Sequence, residues 1–253
     1  MECRPTVENI YDYINGIAPF EKQCEWDNSG LLVGNPHRKI SKIGVVLDIT
    51  PNAVKYAAAN GIELIISHHP VIFHPVKKFL EGDAAYLLAK HDISAICAHT
   101  SLDIAYGGVN DVLAEALGFK NPVPLTAEGE AAMLRKAETE ETDADVLAML
   151  VADRLATGVQ LADCGKAIKT VAFCGGAGGS FIYDAAKYGC DALITGEAKH
   201  HEFLAAYDLG ITLISAGHFE TENPVVDALA TKISENFNCE VEIIPQKSPV
   251  EYF

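Results

Sequence analysis

Two adjacent imidazoles close an apolar, strand-like run: Glu63-Leu64-Ile65-Ile66 leads into Ser67-His68-His69-Pro70. Neutral imidazole is the commonest protein ligand for transition metals. Neighbouring side chains on an extended backbone point in different directions, so a His-His pair can serve two ions or bend around one. Taken alone, the dipeptide is better explained as a surface or helix-capping pair. A second apolar run, Ile93–Ala98, ends in the same way in His99-Thr100-Ser101-Leu102-Asp103. Asp103 is a candidate ligand; its alternative role is to cap the helix that follows Gly107-Gly108, although Asn110 and Asp111 lie nearer to that helix. A third run, Ile211–Ser215, opens into Ala216-Gly217-His218-Phe219-Glu220-Thr221-Glu222. His218 and Glu222 are four residues apart and share one face if the segment is helical; read alone, the segment is an acid-rich first turn favoured by the helix dipole. Three strand ends carrying imidazole or carboxylate make a metal site the stronger reading, and five of the nine histidines (His68, His69, His74, His99, His218) fall in or beside these loops. Imidazole and carboxylate without thiolate suit zinc, iron(II), manganese or nickel. Five ligands can hold two ions about 3.5–4 Å apart.

The elements that must position these residues follow a βα rhythm. Lys42–Leu47 reads as a strand and Pro51–Asn60 as a helix, with proline in its first turn, where a missing N–H costs nothing. Glu63–Ile66 (strand), Gly82–Lys90 (helix), Ile93–Ala98 (strand) and Gly108–Leu117 (helix, stopped by Gly118) continue it. Between Asn121 and about Lys166 the texture shifts to Pro, Ala, Glu, Thr and Asp around a helix-like Asp143–Leu155, which marks a domain boundary or crossover. The rhythm resumes with Ile168–Phe173, a helix from Phe181, Ala192–Thr195, a helix through Glu202–Tyr207, Ile211–Ser215, a helix over Pro224–Asn236 and a last strand Val241–Ile244. This is an α/β pattern with largely parallel sheets, in which ligands gather beyond the carboxyl ends of the strands.

Composition narrows the setting. No apolar run approaches the roughly 18–20 residues of a bilayer span, and Met1-Glu2-Cys3-Arg4-Pro5 lacks the basic-then-apolar order of a signal peptide, so a cytoplasmic protein is expected. The seven cysteines are odd in number, scattered and never in a Cys-x-x-Cys pair, which suits a reducing compartment and small core residues rather than thiolate ligands. A formal charge of −16 without a Lys/Arg cluster disfavours general nucleic-acid binding. Nucleotide-like substrates stay open, because bound ions can supply the positive charge. The glycine loop Cys174–Ser180 joins a strand to a helix but lacks the Gly-Lys-Ser/Thr of a P-loop, so it reads as a tight turn rather than a phosphate cradle. His200 and His201 open a helix and are either proton-transfer groups lining a cavity or surface residues.

Several segments together carry a wider resemblance: Trp26-Asp27-Asn28-Ser29-Gly30-Leu31-Leu32-Val33-Gly34, His68-His69-Pro70, Thr100–Asp103 followed by Gly107-Gly108-Val109-Asn110-Asp111, the Cys174–Ser180 loop, Thr195-Gly196-Glu197 with His200-His201-Glu202, and Gly217-His218 with Glu222. In this order, over nearly the whole chain, they resemble the Nif-three-like proteins, a family often labelled GTP cyclohydrolase I type 2 homologues. The resemblance implies two interlocked α/β domains, residues 1–125 plus 215–253 and residues 126–214, without the mid-chain insert domain of longer members. It implies two divalent ions (zinc, iron or manganese) on His68, His69, Asp103, His218 and Glu222, with Asp103 as the bridge, and assembly into a toroidal homohexamer whose metal sites face an internal cavity. Glu220 stands where a small residue is more usual. Two functions follow as expectations. One is a metal-dependent hydrolase of a small, nucleotide-like substrate, with His99 and His201 handling protons; a phosphoesterase is a variant of it that lacks a basic clamp in this sequence. The other is a non-catalytic metal-binding, metal-delivery or protein-interaction scaffold.

Overall fold

The computed structural model describes residues 4–125 and 132–251. The start of the chain with Cys3, and the expected boundary at residue 126, lie outside the described residues. In chain order the elements are α1 (Val7–Ile17), β1 (Gly30–Val33), β2 (Lys42–Val46), α2 (Pro51–Ala59), β3 (Leu64–Ser67), α3 (Ala84–Lys90), β4 (Ser94–Cys97), α4 (Thr100–Ile104) and α5 (Val109–Ala116). There follow β5 (Val123–Pro124), β6 (Arg135–Thr142), α6 (Ala144–Leu155), β7 (Gln160–Ala162), β8 (Ile168–Cys174), α7 (Ile182–Lys187), β9 (Ala192–Thr195), α8 (His200–Leu209), β10 (Thr212–Ser215), α9 (His218–Glu222), α10 (Pro224–Asn236) and β11 (Glu240–Ile243). No helix among the described residues is long and apolar enough to cross a membrane.

The chain divides into two compact units, residues 1–106 with 226–247, and residues 107–225 with 248–253. The first holds a five-stranded sheet in the order β1-β4-β3-β2-β11. Its β4, β3, β2 and β11 run parallel and only β1 is antiparallel. β3 and β4 are buried along their whole length, which is why they read as unbroken apolar runs rather than alternating ones. Val46, Val54, Ala57, Ile65, Leu88, Ala95 and Ile244 belong to one apolar cluster that packs α2 and α3 on this sheet. α2 begins as its sequence requires, with Thr50 accepting a bond from the amide of Ala53 and Pro51 in the first turn.

The second unit has a six-stranded sheet in the order β5-β6-β8-β9-β10-β7. β8, β9 and β10 form a parallel core, and antiparallel strands flank it on both sides. β6 has the sequence Arg-Lys-Ala-Glu-Thr-Glu-Glu-Thr, whose many charges hide a strand. What fixes it is the ladder to β8 and an inward-facing Arg135, fully buried, whose Nε donates to Asp111 Oδ1 at 2.5 Å and whose guanidinium also donates to the carbonyl of Ala132. Of the described cysteines, Cys97, Cys174 and Cys190 are buried as expected of small core residues, whereas Cys24, Cys164 and Cys239 are half-buried.

Candidate metal centre

Register decides which side chains meet. In the first unit Val46 pairs with Ser67 and Ser67 with Cys97, so β2, β3 and β4 end level. The backbone stays zipped beyond the strands, with the amide of His69 on the carbonyl of Leu47 and that of Ala98 on Ser67. Asp48, His68, His69 and His99 therefore leave the same edge of the sheet. One ligating atom from each of His68, His69 and His99 lies within 4.8 Å of the others, a group that could hold a metal ion. Ring centroids are 4.9 Å apart for His68 and His69 and 5.2 Å for His68 and His99.

Each of the three rings is turned by a bond through the same nitrogen. His68 Nδ1 donates to the carbonyl of Ala98 at 2.9 Å, His69 Nδ1 to Asp48 Oδ1 at 2.7 Å, and His99 Nδ1 to Asp27 Oδ1 at 2.7 Å. Because those acceptors carry no proton, the tautomers follow: hydrogen on Nδ1, lone pair on Nε2. A carbonyl or carboxylate behind a histidine is how proteins orient an imidazole as a metal ligand and raise its basicity. His68 is 1% exposed, and its Nε2 is 3.7 Å from Asp103 Oδ1. Asp103 is itself buried, in the first turn of α4. The donor set of neutral nitrogens and carboxylate oxygen fits a divalent transition ion.

Asp27 ties this arrangement together. Its side chain is fully buried, and besides His99 it accepts from the amide and hydroxyl of Thr100, the residue that opens α4, and from the amide of Asn28. Burial works to raise its carboxyl, but the hydrogen bonds from His99 and Thr100 prevail and hold it well below the usual carboxylate range. Asp27 thus remains an anion that fixes both the His99 ring and the start of the helix bearing Asp103. Cys97, beside this network with its Sγ on the carbonyl of His68, is pushed well above the normal thiol range by burial and by the charges of Asp27 and Asp103, which keeps it a neutral thiol.

The second unit repeats the device. Cys174 pairs with Thr195 and Thr195 with Ser215, so β8, β9 and β10 also end level. From that edge emerge the glycine loop, Gly196-Glu197 and Gly217-His218. His218 and Glu222 lie on one face of α9, with His218 Nε2 3.1 Å from Glu222 Oε2 and His218 Nδ1 3.2 Å from Glu197 Oε1. Glu222 is 5% exposed. Glu220 instead borders an open groove with Asp153 and Ser248.

The amides of the glycine loop are spent inside the protein: Gly175 donates to Asn110 Oδ1, Gly176 to Thr221 Oγ1, Gly178 to Thr195 Oγ1 and Gly179 to the carbonyl of Glu197. The tight-turn reading is the one this geometry supports. Its glycines make room: a Cβ on Gly176 would stand 2.1 Å from Glu222 Oε1 and 3.1 Å from His218 Nε2, on a backbone at φ +60°. A Cβ on Gly196 would stand 2.6 Å from Thr221 Oγ1 and 2.8 Å from His218 Cα. His201 sits in the first turn of α8 with its side chain 68% exposed, Nε2 4.0 Å from Glu202 Oε1.

Sequence reasoning passed over Asp48, and gave Asp27 and Glu197 no role beyond their motifs. Asp48 and Glu197 follow β2 and β9 by two residues, so the strand-end rule that singled out the histidines would have found both.

Fold and site together define an α/β protein whose strand ends carry imidazole–carboxylate clusters suited to divalent metal. The sequence matches the Duf34/NIF3 (NGG1p interacting factor 3) family over residues 5–249, and the chain belongs to that family. It is 32% identical over 258 residues, 98% of either chain, to a Clostridium perfringens protein named GTP cyclohydrolase 1 type 2 homolog. It is 34% identical over 254 residues to the GTP cyclohydrolase 1 type 2 of Helicobacter pylori strain J99, covering 97% of this chain and 98% of that one. Among solved structures it resembles the Staphylococcus aureus hypothetical protein SA1388, with a TM-score of 0.90 and 26% identity over 99% of this chain and 100% of the other.

Proposed function

We propose that the protein is a metal-dependent hydrolase of a small, nucleotide-like substrate, in which His68, His69, Asp103, His218 and Glu222 would hold two divalent ions. The observation that carries this reading is the common orientation of the paired imidazoles: the Nδ1 of His68 bonds the carbonyl of Ala98 and that of His69 bonds Asp48, which leaves Nε2 of each as the ligating atom. The names of the relatives make a purine nucleotide the first substrate class to test.

Bound ions would supply Lewis-acid activation of a water and of the scissile group. The chain's own part is orientation and proton transfer. His99 Nε2 takes the proton from the attacking water, and Asp27, hydrogen-bonded to Nδ1, stabilises the imidazolium that results. His201, exposed at the start of α8, is the second proton-handling group in this reading. A phosphoesterase differs only in substrate. The test is turnover: the metal-loaded protein, offered GTP and simple phosphoesters, is expected to release product, and Asp103→Ala to lose at least 100-fold in kcat, about 3 kcal/mol. Turnover unchanged in Asp103→Ala refutes the assignment.

One observation favours a second reading, a non-catalytic metal-binding or delivery protein. His99 shares the cluster of His68 and His69 at ligand distance, and a site that used it as a ligand would lose its nearest base. In that case the protein would retain metal in every assay without turning over any substrate. Assembly into a hexamer is proposed from the family resemblance alone.

A further inference from the structure

Beside the histidine cluster of the first unit stand two aromatic rings that the metal chemistry does not use. Trp26 is 58% and Phe73 39% exposed, although both are large apolar side chains. Their ring centroids are 5.8 Å apart with planes tilted by 47°, so they meet at a corner, and more than half of the Trp26 surface stays exposed. His99 lies 5.9 Å from Trp26 and 6.0 Å from Phe73. The corner is held from behind. Trp26 precedes Asp27, whose carboxylate is fully buried in its network, and Asn28 Nδ2 donates to the carbonyl of Ile72 at 2.6 Å, pinning the loop that carries Phe73. Exposed aromatic rings held this rigidly offer contact area at little cost in entropy.

We propose that Trp26 and Phe73 form a substrate subsite that takes a planar heteroaromatic ring of the purine-nucleoside kind, stacked on the exposed indole of Trp26 with its edge towards Phe73. This rests on the hydrolase reading of the neighbouring centre, since it is His99 that brings a ring bound here within reach of the cluster. A cationic guest, the other common partner of an aromatic corner, is disfavoured next to a site built for divalent cations. Every base has a π face, so stacking supplies affinity while leaving selection to the polar groups around it.

Trp26 is the only tryptophan of the sequence, so intrinsic fluorescence reports on this corner without a label. The purified protein, its metal content recorded, is titrated with guanosine and with ribose 5-phosphate, exciting on the red edge of the indole band where purines do not absorb. Saturable quenching by guanosine and none by ribose 5-phosphate is expected. Phe73→Ala should weaken guanosine binding roughly ten-fold or more, with metal content and circular dichroism unchanged, while Phe73→Tyr, which keeps the ring, should bind as the parent does. An equal response to ribose 5-phosphate, no saturable response, or an affinity unmoved by Phe73→Ala overturns the subsite. So does emission typical of a covered indole in the ligand-free protein, which would assign the corner to a contact between copies. Ring binding by a protein that takes up no metal would remove the hydrolase reading and leave a ring-binding corner that is not a substrate subsite; metal without ring binding would remove the subsite alone.

Discussion

At the scale of single residues, carboxylates behind the histidines carry as much of the account as the ligands do. Asp27 accepts from the His99 ring and from the amide and hydroxyl of Thr100, so removing its charge slackens both the ring and the start of the helix that bears Asp103. Asp27→Asn is nearly isosteric, and it should cost roughly 10- to 100-fold in metal affinity, measured by competition with a chromogenic chelator, while the fold persists by circular dichroism. Affinity equal to wild type would show that the start of the helix bearing Asp103 needs no such anchor. Gly176 makes the complementary point about space. Its φ of +60°, and the mere 2.1 Å that would separate a Cβ from Glu222 Oε1, leave no room for a side chain. Gly176→Ala should destabilise the protein by roughly 1–3 kcal/mol in urea unfolding and weaken metal binding along with it, because Glu222 must move.

At the scale of elements, the strands that read most clearly in the sequence are those buried on both faces. β3, β4, β9 and β10 are buried throughout, and unbroken apolar runs announce them; the helices between were legible from proline, glycine and apolar spacing. What escaped was the antiparallel flank. β1 begins at Gly30 and is only partly buried, and β6 is mostly charged, so neither shows the apolar signal on which the reading depends. β6 is instead fixed by partners that sequence cannot reveal: the ladder to β8, and the buried pair of Arg135 with Asp111 of α5. Truncating Arg135 to alanine would leave a buried carboxylate without its counter-charge, and a loss of roughly 3–5 kcal/mol in denaturant unfolding is expected. A loss below about 1 kcal/mol, the worth of an exposed pair, would mean that water reaches Asp111 in the folded protein.

At the scale of the whole molecule, each sheet follows the same rule by itself: strands that end level deliver histidine and carboxylate to one edge of that sheet. The candidate ligands were legible because the rule is local, a polar pair following an apolar run. The residues that aim them were not, since the pairings of His99 with Asp27 and of His218 with Glu197 join segments 72 and 21 positions apart. The units divide at Tyr106/Gly107, at Val225/Val226 and again at Lys247/Ser248. α5 goes with the second unit, where it packs on β6 and β8.

The central claim is that His68, His69, Asp103, His218 and Glu222 hold metal, and elemental analysis of the purified protein tests it most directly. About two divalent ions per chain are expected in the wild type, with the content falling sharply in His68→Ala/His69→Ala and in Asp103→Ala. A wild-type protein that takes up no metal when purified without chelator and offered zinc, iron and manganese, or variants that keep the full complement, would contradict the account and return these side chains to purely structural roles.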